Sequence, residues 1–534
     1  MTRSFWGWGH EEVGPDPVTL AAVEAALPSL LGMQELSPRP PPKLDEIALR
    51  RPRFDPPRAL AHLCSDASFD RASHSYGKSY RDLVRAFDRR FENPPDWVAY
   101  PETEADVAHL LDHCGASEIA VIPFGGGSSV CGGVEPPRAA RMRGSLSLDL
   151  GRMAALLEVD DVSRAARIQA GTFGPALEAQ LKVRGLTLRH YPQSFEFSTL
   201  GGWLATRSGG HFATGPTHID ELVESMRVVT PRGVIETRRL PGDGAGPSPE
   251  RLYLGSEGTL GVITEAWMRV FERPRFRAKA SVRFADFASG LRAVRALAQS
   301  GLMPSNCRLL DPLEAMLNGA AGGDVAVLLI GFESSDHELD AWAGRARELC
   351  LDHGGAVPEK ALRTRHEDAA TRDAAESAWR EAFLRAPYLR DALVARGVFI
   401  ETFETAVTWD RIDGLVGAVT EAARTSAAEG SGKALVTCRI THAYPDGAAP
   451  YFTVLAPADR GRELEQWTRV KTSITDAMLA AGGTTTHHHA VGRDFRPWYE
   501  RQAPPLFLDM LKAAKRAVDP AGILNPGVLL SFDD

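Results

Sequence analysis

Apolar and polar positions between residues 91 and 275 follow a strand–helix–strand order. The runs 97–101 and 119–123 are short and apolar, as in buried strands, while 102–115 carries Val107, Leu110 and Leu111 at helical spacing. The same reasoning predicts strands over 146–150, 166–170, 226–230 and 261–270, and a helix over 175–184. Glycine-dense loops separate these elements, which indicates an α+β block.

From residue 276 to about 480, strands alternate with long helices rich in Ala, Arg and Glu. Strands are predicted over 280–284, 325–332, 398–402, 435–441 and 451–455. Helices are predicted over 286–300, 336–353, 367–384 and 410–428. Such a pattern is buried when helices pack on one antiparallel sheet.

The two ends of the chain differ from its middle. Residues 1–60 are rich in proline and predict an extended arm, followed by a helix over 78–91. The last stretch, 490–534, predicts a helix that ends at Asp519-Pro520. We therefore predict an α+β protein with boundaries near residues 90, 275 and 489.

Length and composition indicate a globular protein of two or more domains, with 534 residues, 44% apolar and 24% charged. The net charge is −8 and no basic stretch is interleaved with aromatics, so no nucleic-acid binding is expected. The six cysteines form no C-x-x-C pair, which argues against a disulfide framework or a zinc ribbon. No apolar run reaches the roughly 20 residues that span a bilayer, and neither end carries a secretory signal or a peroxisomal tripeptide. We expect a cytoplasmic protein, with peripheral membrane contact left open, that forms a homodimer.

The first chemical signal is a glycine-rich turn directly after the apolar run 119–123. Glycine permits positive φ, so that successive backbone N–H groups can converge on one anion, and two serines add hydroxyl donors. The turn matches neither the dinucleotide-binding G-x-G-x-x-G nor the P-loop pattern. Its residues are Pro123, Phe124, Gly125, Gly126, Gly127, Ser128 and Ser129.

Two further glycine clusters accompany this turn. The run 193–203 leads into 206–210, and a third cluster occupies 255–265. Three glycine-rich loops between strands of one block indicate one large, flat, polar cofactor that is enclosed by backbone.

The three loops, in this order, resemble those of the vanillyl-alcohol-oxidase-type FAD proteins. The runs that carry the resemblance are I-P-F-G-G-G-S-S-V, S-F-E-F-S-T-L-G-G-W and G-S-E-G-T-L-G-V-I-T-E. Within that superfamily the chain is similar to the alkyldihydroxyacetonephosphate (alkylglycerone-phosphate) synthases, from W-G-W-G at 6–9 to N-P-G at 525–527. The composition, rich in Ala, Arg and Gly, suits a bacterial member of that family.

The resemblance implies a domain plan and a non-covalent FAD. An arm with a helical segment (1–90) precedes a two-subdomain FAD-binding domain (91–275). A substrate-binding cap domain with helices on an antiparallel sheet follows (276–489), and a C-terminal segment (490–534) returns to the FAD domain. Cys131, just past the first loop, is interpreted as a buried structural thiol and not a flavin anchor. Beyond the first turn, the implied FAD-binding residues are Gln193, Ser194, Ser198, Thr199, Thr206, Arg207, Ser208, Gly209, Glu257, Gly258, Thr259, Leu260, Gly261, Val262 and Ile263.

Three consecutive histidines precede A-V-G near the end of the cap domain. On an extended segment neighbouring side chains point to opposite sides, so His487 and His489 are expected on one face and His488 on the other. The three are therefore not expected to share one metal ion. Imidazole titrates near neutrality and suits proton transfer, and the synthases carry a similar triplet.

The run 437–452, T-C-R-I-T-H-A-Y-P-D-G-A-A-P-Y-F, is expected to aim several side chains into one cavity, among them Arg439, His442 and Tyr444. In FAD-linked 2-hydroxy-acid dehydrogenases this region supplies two metal-binding histidines, and here the second place is Tyr451. The acidic residue of their E-H-G-I-G run is replaced by His488. We therefore expect no metal site, and resemblance to the synthases implies that Tyr451 donates and accepts a proton.

Two arginines and one further histidine complete the candidates. Arg390 stands where the synthases place a substrate-binding arginine, and a guanidinium fork fits a phosphate better than a lysine does. Arg308 matches an arginine that the family needs for activity. His190, just ahead of the second loop, is a candidate active-site residue by the same comparison.

The leading hypothesis is exchange of the acyl group of acyl-dihydroxyacetone phosphate for a long-chain fatty alcohol, which yields an ether lipid precursor and a fatty acid. The resemblance implies that flavin N5 forms an adduct with the substrate C1, without net redox, while the carboxylate leaves and the alcohol attacks. Arg390 then holds the phosphate, and Tyr451 and the histidines move protons. The alternatives are an FAD-dependent dehydrogenase or oxidase of a 2-hydroxy acid or alcohol, and a flavoprotein that has lost catalysis and serves as a binding partner.

Overall fold

The structure, a computed structural model, describes residues 2–138, 141–358, 362–366, 374–429 and 432–531. Residues 367–373 of the helix predicted over 367–384, and the last three residues of the predicted C-terminal segment, lie outside the described residues. Within the described part, the predicted α+β class is confirmed.

Helices and strands alternate along most of the described chain. The helices are α1 (Pro17–Leu31), α2 (Ser68–Ser73), α3 (Tyr80–Phe87), α4 (Glu104–Ser117), α5 (Gly174–Lys182), α6 (Leu200–Thr206), α7 (Glu250–Tyr253), α8 (Phe287–Gln299), α9 (Pro312–Leu317), α10 (Asp340–Asp352), α11 (Ala374–Ala395), α12 (Ile412–Ala428), α13 (Glu463–Ala480), α14 (Arg496–Gln502) and α15 (Pro505–Val518). The strands are β1 (Cys64–Ser65), β2 (Trp97–Ala99), β3 (Ile119–Phe124), β4 (Gly144–Asp149), β5 (Leu156–Asp160), β6 (Ala165–Gln169), β7 (Leu186–Thr187), β8 (Val223–Thr230), β9 (Gly233–Glu236), β10 (Val262–Arg269), β11 (Phe271–Glu272), β12 (Phe276–Phe284), β13 (Asn306–Leu310), β14 (Ala326–Ser334), β15 (Arg365–His366), β16 (Val398–Glu404), β17 (Val407–Thr408), β18 (Leu435–Ala443) and β19 (Gly447–Pro457).

Two sheets form the half of the molecule that carries the glycine-rich loops. The first has the order β1-β2-β4-β3, with β2 and β3 both parallel to β4 and with α4 connecting β2 to β3. Helix α4 begins at the cap residue Thr103, whose hydroxyl accepts the N–H of Asp106, and it ends at the left-handed residue Glu118. The second sheet, β5-β6-β10-β8-β9, is antiparallel throughout. Apolar side chains of both sheets belong to one core.

The cap is built on a long antiparallel sheet with the order β15-β12-β14-β13-β18-β19-β16, and β17 pairs with β19. Helices α8, α10, α12 and α13 pack on this sheet or on one another. Strand β14 is buried on both faces: Leu328 and Ile330 join the large core beneath these helices, while Val327 and Leu329 pack in a smaller cluster with Ala315 of α9. Burial on both faces explains why this strand shows no polar alternation.

The elements that the pattern did not predict include α1, β13 and α13. The arm contains α1, because Asp16 caps its first turn (Thr19 N–H to Asp16 Oδ2, 2.8 Å), Pro17 occupies a position where no N–H is needed, and Gly32 ends it. All five residues of β13 are buried, so it lacks alternation. Helix α13 buries polar residues along with its apolar stripe, which hides the helical period.

The C-terminal segment is threaded into the first sheet. Leu524 forms a parallel bridge with Val121, the N–H of Val121 donates to Ile523 O (2.8 Å), and Asn525 N–H donates to Val121 O (2.8 Å). Buried Lys515 of α15 pairs with Asp519 and donates to two backbone carbonyls, those of Thr259 and Leu524 (2.7 Å each). One ammonium group therefore joins α15, the third glycine loop and the C-terminal segment beside Val121. The domain boundaries near residues 90, 275 and 489 stay predictions.

Replacing Lys515 tests how much this junction contributes to the free energy of unfolding. The substitution Lys515→Met leaves Asp519 buried without its cation, so we expect unfolding to become easier by about 3–5 kcal/mol. The measurement is urea denaturation followed by tryptophan fluorescence. Lys512→Met, on the same helix but half-exposed, is the matched control and should change stability by less than about 0.5 kcal/mol. Equal denaturation midpoints for both variants would contradict the account.

Candidate active site

A cavity lies where the three glycine-rich loops face the cap sheet. The predicted loop residues that line it are Pro123, Phe124, Gly125, Gly126, Gly127, Ser128, Ser129, Gln193, Ser194, Ser198, Thr199, Thr206, Ser208, Gly209, Glu257, Gly258, Gly261, Val262 and Ile263. The predicted catalytic and substrate residues that line it are Arg308, Arg390, Tyr451, His488 and His489. Sequence positions more than 300 residues apart therefore meet around one space.

The first and second loops touch through their backbones. A Cβ atom on Gly126 would lie 1.8 Å from the carbonyl oxygen of Phe197, so only glycine fits there. Gly127 has φ +66, which lets the turn fold back after the strand. Ser198, in the second loop, accepts the indole N–H of Trp203 (2.7 Å) and so fixes this loop to α6. The contact shapes a concave surface of backbone N–H groups and hydroxyls.

Glu257 ties the third loop to the chain beyond the histidine triplet. Its buried carboxylate accepts the backbone N–H groups of Val491 (2.9 Å) and Gly492 (2.8 Å). Burial raises the pKa of Glu257 to about 7, and the two N–H donors offset this shift only in part. Glu257 also lines the cavity, so one side chain serves both the cofactor wall and the domain junction.

Glu404, the last residue of β16, determines the shape of the triplet. Its buried carboxylate accepts the backbone N–H groups of His488 (3.1 Å) and His489 (2.8 Å), as well as that of His487 and the hydroxyl of Thr486. Burial by itself raises the pKa of Glu404, but the neighbouring histidines and these hydrogen bonds outweigh it and hold the pKa below its usual value. Three consecutive donors on one carboxylate force the segment into a bend.

The expected extended triplet is therefore wrong. His488 and His489 line the cavity together, and their rings lie 4.8 Å apart, while His487 lies behind them. His487 Nδ1 and His488 Nδ1 share a hydrogen bond of 2.9 Å, and His487 Nε2 bonds the hydroxyl of Tyr444 (2.8 Å). Burial, followed by the neighbouring histidines, lowers the pKa of His487 and of His488 well below the usual value. Both rings are therefore neutral at physiological pH.

His442, His487 and His488 bring one nitrogen each to within 4.8 Å of one another, the one such His/Cys/Asp/Glu group among the described residues. Hydrogen bonds already use most of these nitrogens. His442 Nε2 donates to Gly210 O (3.0 Å), its Nδ1 lies 3.0 Å from Thr441 Oγ1, and both nitrogens of His487 are engaged. These contacts account for the cluster as a hydrogen-bonded network, and the expectation of no metal stays a prediction.

Tyr451 occupies the cap wall beside the triplet. The guanidinium of Arg439 lies over its ring at 3.8 Å and is itself held by Glu314 (2.6 Å). The ring of His488 stacks on that of Tyr451, with centroids 6.1 Å apart. Burial raises the pKa of Tyr451, and the Arg439 charge offsets part of that shift. The phenol is thus protonated at rest, beside groups that can accept or return its proton.

The two predicted arginines enter the cavity from different elements. Arg308 on β13 is buried, its Nη1 lies 3.2 Å from His211 Nδ1, and burial lowers its pKa to about 9. Arg390 on α11 is bound by Asp391 (Nη2 to Oδ1, 3.0 Å). Asp391 also accepts the backbone N–H of Trp8, so the N-terminal arm fixes the Arg390 side chain.

Six predicted residues lie outside the cavity lining. The Arg207 side chain is over half-exposed and pairs with Asp220, because its backbone ends α6 in the left-handed region. Thr259 turns its hydroxyl to Ser256 O, and Leu260 points into the core. His190 lies behind the wall: its Nε2 bonds Ser208 Oγ (2.8 Å), and burial lowers its pKa to about 3. The other two are His487, which lies behind His488, and Tyr444, whose hydroxyl bonds His487 Nε2 (2.8 Å).

Two acidic residues that matter here, Glu404 and Glu314, were missed at the sequence level. The signal was present: Glu404 ends the largely buried strand β16, and a buried carboxylate there needs several hydrogen-bond donors.

The lining fits an FAD. Glycines of the first turn, with Ser128, Ser129 and Ser194, line a part of the cavity that would suit a diphosphate, and residues of the third loop lie beside it. Cys131 does not line the cavity; its thiol donates to His489 O (3.3 Å), and burial raises its pKa far above the usual value. A thiol held in this way is a poor nucleophile, which supports non-covalent FAD.

Comparisons with known proteins agree with this geometry. A family model described as "FAD linked oxidases, C-terminal domain" matches residues 273–529, and an "FAD binding domain" model matches 95–238. An alkyldihydroxyacetonephosphate synthase of Dictyostelium discoideum is 31% identical, over 94% of this chain and 83% of the relative. Glycolate oxidase subunit GlcD of Bacillus subtilis is 26% identical, over 84% and 93%. A solved alkyldihydroxyacetonephosphate synthase matches with a TM-score of 0.81 at 26% identity, covering 98% of both chains.

Gly126 provides a test of the cradle. In Gly126→Ala the new methyl group collides with the second-loop backbone, so the loops must separate, and we expect roughly 10-fold less FAD bound per protein. The ratio of flavin to protein absorbance in the purified protein measures this. Gly414→Ala, in α12 with open space at its Cβ position, is the control and should keep full FAD. Undiminished flavin in Gly126→Ala would show that the loops do not hold it.

Proposed function

This chain belongs to the alkyldihydroxyacetonephosphate synthase family, and we propose that it exchanges the acyl group of acyl-dihydroxyacetone phosphate for a long-chain alcohol. It is an FAD flavoenzyme of the synthase type. The products are an ether-linked alkyl-dihydroxyacetone phosphate and a fatty acid. The reaction changes no oxidation state overall, since one C–O bond at the substrate C1 replaces another.

The observation that supports this proposal is the set of side chains that surround Tyr451. Its phenol shares the cavity wall with Arg439, His488 and His489, at the place where the related dehydrogenases have a metal-binding histidine. A neutral tyrosine next to neutral imidazoles is suited to move a proton. Proton exchange at C1 and at the incoming alcohol needs such a group.

Each group of the cavity then has one task. FAD, when bound, would supply the flavin chemistry for exchanging the acyl group at the dihydroxyacetone carbon. Arg390, held rigid by Asp391, binds the phosphate and thereby fixes the position of the substrate in the cavity. Tyr451 protonates and deprotonates the substrate, and His488 accepts the proton of the incoming alcohol. Arg308, with its buried charge, binds a carbonyl or carboxylate oxygen of the substrate, and His190 positions Ser208 from behind.

A redox function on the same scaffold is the second candidate. The similarity to a glycolate oxidase subunit favours it, and a dehydrogenase or oxidase of a 2-hydroxy acid would use the same FAD cradle. Anaerobic bleaching of the flavin by lactate, glycolate or 2-hydroxyglutarate would support this candidate.

The remaining expectations concern partners and location. In the described part of the chain, no helix is long and apolar enough to cross a membrane. Peripheral membrane contact is supported by Leu506, Phe507 and Met510, which are exposed on the first turns of α15. The cytoplasmic location, the homodimer and the bacterial origin stay predictions.

The labelled-alcohol assay tests the function. Purified protein incubated anaerobically with palmitoyl-dihydroxyacetone phosphate and labelled hexadecanol should form labelled ether, and Tyr451→Phe should lower kcat at least about 100-fold, because the proton donor is lost. Tyr253→Phe, a buried tyrosine outside the cavity lining, is the control with unchanged kcat. The absence of ether product from the wild-type protein would sink the proposal.

Arg390 makes a separate prediction about the phosphate. Arg390→Met should raise KM for the ester roughly 10- to 100-fold, since a charge-assisted bidentate contact is lost. The same substitution should matter little for a dihydroxyacetone ester without phosphate. Arg424→Met removes an exposed arginine of α12 that pairs only with exposed Glu421, and it serves as the control. Equal losses on both substrates would mean that Arg390 does not bind the phosphate.

A further inference from the structure

A continuous line of hydrogen-bonding groups runs from the cavity to the surface. It begins at His488, which lines the cavity, and passes through the Nδ1–Nδ1 contact to His487 (2.9 Å). From His487 Nε2 it continues to the hydroxyl of Tyr444 (2.8 Å) and then to that of Thr217 (3.1 Å). Thr217 donates onward to the carboxylate of Glu221 (3.4 Å), and Glu221 is exposed.

The proposed reaction needs such a line. A fatty acid leaves as its carboxylate at neutral pH, while the alcohol gives up its hydroxyl proton. One proton per turnover therefore has no place in the products. It is released inside a cavity whose walls bury both Tyr451 and His442, and a proton left there would oppose the next cycle.

We propose that His488, His487, Tyr444 and Thr217 form a relay that carries this proton from the cavity to Glu221 and solvent. The inference rests on the proposed function and adds three positioning and relay residues to it. Tyr444, Thr217 and Glu221 are not among the residues that line the cavity.

In each transfer of the relay, a group gains one proton and passes one proton on. At rest His488 carries its proton on Nδ1 and offers Nε2 to the cavity, His487 carries its proton on Nε2, and each hydroxyl donates outward. When Nε2 of His488 takes the alcohol proton, its Nδ1 proton passes to His487 Nδ1, and the Nε2 proton of His487 passes to Tyr444. The Tyr444 proton moves to Thr217, and the Thr217 proton moves to Glu221. No group ends with an extra charge except Glu221, which loses its proton to water.

The surrounding charges favour the outward direction. At the cavity end, Arg308 and Arg439 act on His488 and disfavour a positive charge there. At the outer end, the carboxylates of Glu221 and Asp220 act on Tyr444. His218 lies beside the middle of the line, where its Nε2 bonds His487 O (3.1 Å). The two arginines therefore oppose a proton on His488 and the outer carboxylates attract one, while Glu404, 3.5 Å from His488 Nδ1, acts in the opposite sense at the inner end.

Removal of one hydroxyl interrupts the relay without emptying the site. In the FAD-loaded protein, Tyr444→Phe should lower kcat roughly 10- to 100-fold with KM unchanged, and the solvent deuterium isotope effect on kcat should rise because proton release becomes rate-limiting. Added imidazole should restore part of the rate. Glu221→Gln, at an exposed position, should show the same signs more weakly and covers the case in which Tyr444→Phe does not fold.

The chain offers a closely matched control. Tyr191 and Thr187 form the same hydroxyl pair at the same distance, 3.1 Å, outside the relay. Tyr191→Phe should leave kcat and the isotope effect unchanged. If Tyr444→Phe and Tyr191→Phe behave alike, or if imidazole rescues neither Tyr444→Phe nor Glu221→Gln, the relay is wrong.

A readout without turnover separates this proposal from the proposed function. In protein labelled with nitrogen-15 at histidine, Tyr444→Phe should shift the ring nitrogen resonances of both His487 and His488, since their tautomers are coupled through one hydrogen bond. Tyr191→Phe should shift neither. A shift without ether formation in the wild-type protein would contradict only the synthase function. Normal ether formation without a shift, and with unchanged kinetics, would contradict only the relay.

Discussion

Two buried carboxylates accept hydrogen bonds from one short backbone segment, residues 487–492. These hydrogen bonds fix the geometry of the active site. Glu404 of the cap accepts the N–H groups of residues 487–489, and Glu257 of the FAD-binding half accepts those of Val491 and Gly492. Each carboxylate is costly to bury, and each is stabilised only when the segment has this one shape. The segment in turn places two imidazoles in the cavity and a third behind them. The geometry of the site therefore depends on the hydrogen bonds that these two buried glutamates accept.

The same junction explains why residues so distant in sequence can cooperate. The C-terminal segment beside Val121 and the buried Lys515 fix the FAD-binding half to the end of the chain. The N-terminal arm reaches the cap through Asp391, which holds Arg390. The glycine-rich loops, Arg390 and the groups proposed to carry protons thus face one space from four parts of the chain. A cavity built in this way suits a reaction in which the cofactor holds a carbon atom while other groups move protons.

The sequence allowed most of the longer strands and helices, and the glycine-rich loops, to be predicted, because these depend on local pattern and on backbone requirements such as those of Gly126. It did not allow the shape of the histidine triplet to be predicted, since Glu404 lies more than 80 positions earlier and bends the segment. The same limit hid β13, whose complete burial removes alternation, and the orientation of Arg207, which turns to Asp220. Local signals define elements and loops, whereas the contacts between distant polar groups decide which side chains reach the cavity.

The central claim is that the alcohol replaces the acyl group at the substrate carbon, on a flavin that passes no electrons to an acceptor. The most direct measurement is mass spectrometry of the products formed from hexadecanol labelled with oxygen-18, under anaerobic conditions and over many turnovers. The account predicts that the label is retained in the ether product and absent from the released fatty acid. Label found in a fatty acyl ester, or product formation that stops after one turnover per flavin, would contradict it.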